Sequence, residues 1–232
     1  MNKFTMIINN NRKDLKWWQH NWVFATTVFF VLLCIIIHST QGDLGIDIDF
    51  NNHWHDCLYF KGLLRVFLSS FFHANWQHVL LNMLCFFICG IYLERKIGSI
   101  YFLLLILAFS LFGNSAVSAN HGSLWFRGFS GVNYAIYAYI LVDYLFCVIP
   151  KTKRNKLNII YGGVMLGLIY FAACFNGGTQ KVSFSWYPYD AMHNLAHYTS
   201  YFAGLIIATV LCTFRYLLEK KQNSENKEII NN

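Results

Sequence analysis

The chain has 232 residues, of which 56% are hydrophobic, 19% aromatic and only 12% charged. A soluble globule of this size needs more polar surface than that composition supplies, which excludes an ordinary soluble domain and points to an all-α membrane protein. The net charge of +7 follows the predicted topology and requires no nucleic-acid partner.

Residues 1–21 are rich in Asn and Lys and read as a cytoplasmic polar tail. Membrane helices need about 17–25 apolar residues, and the first such run is Trp22–His38. It follows a polar stretch and has no small-x-small cleavage site behind it, so it reads as a retained anchor rather than a signal peptide. The long connection Ser39–Asn75 contains Trp54, Leu58, Tyr59, Phe60, Leu63 and Leu64. That much apolar surface predicts short helices lying partly in the bilayer interface. A second run, Val79–Leu93, extends backward through His78 to Trp76. Its outer end is therefore polar. Further runs follow at Ile100–Ser118, Ser130–Ile149, Leu157–Phe175 and Ala191–Leu218, and residues 219–232 form a second polar tail. The expectation is one six-transmembrane-helix bundle over 22–218, with no internal domain boundary.

Fourteen of the eighteen Lys and Arg residues fall on one side of this arrangement. The positive-inside rule then makes both termini cytoplasmic. Six of the seven tryptophans (Trp17, Trp18, Trp22, Trp54, Trp76 and Trp125) sit at or outside the predicted helix ends, as an interfacial belt requires. Pro150 and Pro188 are likewise expected beyond helix ends. Seven cysteines, mostly within apolar runs, imply no disulfide framework. Cys85 and Cys89, one turn apart, read as small packed hydrophobes and not as metal ligands.

Polar side chains at membrane depth are costly and mark functional sites. His73, Asn75, Gln77, His78 and Asn82 enter the second span from outside, with His78 and Asn82 on one helix face. Gly128-Phe129-Ser130-Gly131, followed by Asn133 and Tyr134, opens the fourth span. Met192-His193-Asn194, then Ala196 and His197, opens the sixth. Ser130, at a helix mouth, is surrounded by N–H groups without intrahelical partners, where negative charge is favoured. Flanking glycines allow close approach of a substrate backbone. Ser130 reads either as a nucleophile or as a helix cap. With a histidine of the sixth span as base and His78 and Asn82 as oxyanion donors, the set is complete for a serine hydrolase. No acidic residue is placed to orient the base, so a Ser-His dyad fits better than a triad.

In order and spacing these residues resemble the rhomboid family of intramembrane serine proteases. The second-span pattern is met by His73, His78, Asn82 and Met83, the G-x-S-G-x-x-Y pattern by Gly128, Ser130, Gly131 and Tyr134, and the sixth-span pattern by Ala196, His197 and Gly204. Glu94-Arg95 followed by Gly98 resembles the E-[RK]-x-x-G pattern after the second span. The resemblance implies Ser130 as nucleophile, His197 as general base and Tyr134 packed on the imidazole. It implies an oxyanion hole of His78, Asn82 and the Ser130 N–H, with Gly128, Gly131 and His73 in support and no metal or cofactor. It further implies transmembrane protein substrates, a water-filled cavity open to the outside, lateral gating by the fifth span, and a compact plan like that of bacterial inner-membrane members.

Departures are few. Ser200 stands where the family has glycine, Leu64-Arg65 where it has Trp-Arg, Ala138 where glycine is frequent, and Arg127 precedes Gly128. The main competing reading is a non-catalytic rhomboid-like protein that binds membrane helices for quality control, but such relatives lack the serine or histidine. A histidine-lined transporter would not need G-F-S-G at a helix mouth. A zinc protease would need H-E-x-x-H, which is absent from the sequence.

Overall fold

A computed structural model describes residues 24–41, 60–120, 128–145 and 188–231; the side chains of 41, 61, 113–120, 188–196, 215 and most of 219–231 lie outside that description. The described residues form six helices: α1 (Ala25–Gln41), α2 (Phe60–Ser69), α3 (Trp76–Ile97), α4 (Ser99–Asn120), α5 (Ser130–Asp143) and α6 (Pro188–Asn231). Five of the predicted spans coincide with α1, α3, α4, α5 and α6, and α2 is a short helix inside the long first connection. The predicted span at 157–175, Arg127, Pro150 and the six tryptophans other than Trp76 lie outside the described residues.

One of the sequence expectations needs correction. Pro188 is the first residue of α6 and not a residue beyond it; a first-turn N–H has no helical acceptor, so proline costs nothing there. Helix α6 also runs on through the polar segment after Leu218 to Asn231. Its run of Glu, Lys and Gln has high helix propensity, which sustains the helix beyond the apolar run.

Local chemistry sets the boundaries of α3. Asn75 caps it in an extended conformation, its side chain accepting from the His78 N–H at 2.8 Å. Gly98, at φ 91°, ends it, its N–H donating to Glu94 O at 2.8 Å. Glycine adopts that left-handed φ without a steric penalty, so the chain enters α4 at the next residue. The Glu94 carboxylate accepts from the Thr26 N–H at 2.9 Å, the Thr27 N–H at 2.8 Å and the Thr27 hydroxyl at 2.6 Å. It therefore caps the positive end of α1 from another helix. Lys96 pairs with Asp143, which also accepts from the Tyr92 hydroxyl at 3.2 Å. That pair ties the end of α3 to the end of α5.

Helix α5 lies at the centre, packed on α3, α4 and α6. Twelve of its fourteen residues are buried, the pattern of a helix with no solvent or lipid face. The perimeter is apolar instead. Tyr198, Phe202, Ile206 and Val210 are exposed at four-residue intervals along α6, and Leu80, Leu84 and Phe87 on α3 and Phe29, Leu32 and Ile36 on α1 are exposed at three- and four-residue intervals. Trp76–Ile97 and His197–Leu218 are long and apolar enough to cross a membrane, and Ala25–Thr40 and Ser99–Phe112 are shorter apolar helices. Polar groups inside and apolar stripes outside are what a hydrocarbon solvent demands.

Candidate active site

Phe129 fixes the start of α5. Its ring is fully buried among Phe30, Phe71 and Phe86, with centroid separations of 6.1, 5.8 and 4.8 Å. Two hydrogen bonds hold the adjoining backbone: the Gly128 N–H donates to Ser69 O at 3.0 Å, and the Phe129 N–H to His73 Nε2 at 3.3 Å. His73 Nδ1 lies 3.2 Å from Phe71 O. A carbonyl only accepts, so the His73 proton sits on Nδ1 and Nε2 is free to accept from Phe129. Buried and bonded at both nitrogens, His73 is a staple between the first connection and the α5 entrance.

Ser130 is the first helical residue, not the cap. The N-cap position belongs to Phe129, which makes no side-chain cap hydrogen bond. The Ser130 hydroxyl is instead 2.9 Å from His197 Nε2. Tyr134, one turn along α5, stacks on that imidazole with centroids 4.3 Å apart and planes 9° from parallel. A flat ring against the imidazole leaves it one plane in which to aim Nε2. In the tautomer that carries its proton on Nδ1, an imidazole at this distance accepts from the serine hydroxyl, an arrangement able to activate an alcohol.

The approach of α6 that makes this contact depends on small residues. A Cβ on Gly204 would lie 2.3 Å from Ala135 O, and one on Gly131 would lie 3.0 Å from Ser200 Oγ. Gly131 and Ala135 on α5 thus meet Ser200 and Gly204 on α6, a reciprocal small-xxx-small crossing. Ser200, where glycine was expected, fits this contact fully buried.

Gly128 has φ 137°, and a Cβ there would meet His78 Cε1 at 2.8 Å, His78 Nε2 at 3.0 Å and Asn82 Nδ2 at 3.7 Å. The His78 ring and the Asn82 amide therefore lie against the Gly128 backbone, two residues before Ser130. Asn82 Nδ2 is buried with no hydrogen-bond partner. An unsatisfied donor at the mouth of a helix is chemically able to receive an anionic oxygen. His78 and Asn82 lie two and six residues into α3, so at about 1.5 Å per residue they are ~3 and ~9 Å from its N-terminal end.

The structure thus brings Ser130, His197, Tyr134, His78, Asn82, Gly128, Gly131 and His73 into one region. The His193 side chain lies outside the described residues. The two buried carboxylates among the described residues, Glu94 and Asp143, are engaged with Thr26, Thr27, Lys96 and Tyr92. Among those residues no group of three or more His, Cys, Asp or Glu side chains could hold a metal. Sequence reasoning missed two features: the aromatic seat of Phe129, hidden among 22 phenylalanines, and the bond from Asn133 to Asn82. Both depend on contacts between distant segments.

The chain is similar to the Rhomboid protease GlpG of Salmonella paratyphi A, 27% identical over 189 residues. It is also 27% identical over 187 residues to the Rhomboid protease GlpG of Salmonella typhi. Each alignment covers 79% of this chain and 62% of the relative, so the chain spans less than two thirds of the length of the curated relatives it matches. A family model, the Rhomboid domain, matches residues 61–214. Because that match runs from α2 into α6 and takes in every residue around Ser130, the chain belongs to the rhomboid family.

Proposed function

We propose that the protein is an intramembrane serine endopeptidase that cleaves single-pass transmembrane substrates with a Ser130–His197 dyad. The observation that carries this reading is the 2.9 Å contact between Ser130 Oγ and His197 Nε2, made across 67 residues of sequence and backed by the stacked Tyr134.

Ser130 Oγ attacks the scissile carbonyl carbon as its proton passes to His197 Nε2. The carbonyl electron pair moves to oxygen, and that oxyanion is held by Asn82 Nδ2, the His78 ring and the Ser130 N–H. On collapse the C–N bond breaks and the leaving amine takes the proton from His197. Water, deprotonated by the same imidazole, then hydrolyses the acyl-enzyme. Neither step requires a cofactor. The chain acts as a six-span domain over 22–218 of a bacterial inner membrane, with both termini cytoplasmic and the 1–21 and 219–232 segments outside the bilayer. The unpartnered donor ~9 Å below the outer end of α3 supports cleavage below the membrane surface.

Purified protein in detergent, incubated with a single-pass helical substrate, should cleave it, and a Ser130→Ala control should not. A fluorophosphonate should label Ser130 in the wild type and fail on the His197→Ala variant. A folded wild-type chain that binds the substrate helix, cleaves nothing and takes no label would support the non-catalytic helix-binding reading instead.

A further inference from the structure

Asn133 is fully buried on α5, three residues beyond Ser130, in the contact with α3. Its Nδ2 donates to the main-chain oxygen of Asn82 at 3.0 Å and lies 3.4 Å from Asn82 Oδ1. Its own Oδ1 is buried without a partner. Burying an unsatisfied amide oxygen is unfavourable, so packing does not explain asparagine at this position.

The two ends of an amide are alike in shape and opposite in chemistry. Here the chemistry determines both. A main-chain oxygen only accepts, so the Asn133 atom facing Asn82 is the NH₂ nitrogen. That same nitrogen faces the Asn82 side chain, which must therefore present its oxygen. Asn82 Nδ2 is left on the other branch, beside Gly128 and unpartnered. If Asn82 turned over, two NH₂ groups would face each other, and an oxygen would point at the site where negative charge develops.

We propose that Asn133 is a positioning residue that locks the Asn82 amide with its NH₂ group aimed at the oxyanion. Asn133 touches no substrate and acts only through Asn82. This inference rests on the protease reading above.

The test is a double-mutant cycle on the full chain in detergent, reading kcat, KM and Tm. The apolar isostere Asn133→Leu removes the donor. Asn133→Ala does so without adding bulk, should leucine fail to fold. In the wild-type background either variant should lower kcat roughly tenfold or more, with KM and Tm little changed, because the lost contact matters only when the oxyanion forms. In an Asn82→Ala background neither should lower kcat further, since the amide it orients is gone. Equal losses in both backgrounds, or a kcat loss that tracks a fall in Tm, would overturn the positioning role and leave the protease reading intact. A folded wild-type chain that is inactive and unlabelled at Ser130 would overturn both.

Discussion

The two ends of α5 are built on opposite principles. At the Asp143 end every buried charge is answered: Lys96 and Tyr92 hold Asp143, and nearby Glu94 takes three donors from the start of α1. At the Ser130 end, about 20 Å away along the helix, buried polar atoms stand without partners: Asn82 Nδ2, Asn133 Oδ1 and Ser200 Oγ. In a low-dielectric interior both arrangements are consequential, because a paired group anchors and an unpaired one costs stability. The satisfied end is the fastening, and the unsatisfied end is the one proposed above as the active site.

The sharpest way to break that contrast is to remove the reacting groups. Ser130→Ala and His197→Ala should each abolish cleavage while leaving the protein folded in detergent, because either change removes half of the proposed dyad. A folded variant of either kind that cleaves at the wild-type rate would end the proposed division.

Gly204→Leu should be almost as damaging by a different route. Its side chain would enter the space of the Ala135 backbone, so α6 must retreat and carry His197 with it. A misplacement of about 1 Å costs roughly 10²-fold in rate, and overpacking adds about 1–3 kcal/mol of instability. Measuring both cleavage and Tm tests this; unchanged values would show that the small-residue crossing does not set the dyad.

Asn82→Ala should lower kcat by about 10²–10³ at nearly constant KM, the usual consequence of losing one oxyanion donor among several. A rise in KM with kcat unchanged would assign Asn82 to substrate binding.

Glu94→Ala probes the satisfied end. It strands two main-chain donors and a hydroxyl at the start of α1, so thermal or denaturant unfolding should report a loss of about 3 kcal/mol. The surviving folded fraction should cleave at a near-normal rate. A large kcat defect without instability would mean the two ends are not separable.

The smallest effect belongs to Ser200→Gly. It removes a hydroxyl with no partner from a contact that glycine also fills, so activity should hold and Tm should stay level or rise slightly. A clear loss of kcat would give the Ser200 hydroxyl a task in the site.

Much of this architecture was legible in the chain. Apolar runs located five of the described helices because each is a nearly unbroken apolar stretch of helical length. Ser130, His197, His78 and Asn82 stood out because polar groups are conspicuous against so apolar a background. The boundaries at Pro188 and Asn231 were less legible, since helix ends depend on capping and propensity more than on hydrophobicity. The roles of Phe129 and Asn133 were not legible at all. Phe129 is one aromatic residue among many until Phe30, Phe71 and Phe86 close around it.

By itself, then, the sequence marked out the described helices, the side chains proposed for the chemistry and, through the order of its motifs, the family. Each of those properties is local, a matter of residue type and spacing along one helix. Only the tertiary structure decided that Ser130 is the first helical residue and not a cap, that Tyr134 lies flat on His197, and that the Asn133 amide donates to Asn82. Those outcomes depend on how closely α3, α5 and α6 approach, and that distance is set by Gly131 and Ala135 meeting Ser200 and Gly204 across residues far apart in the chain.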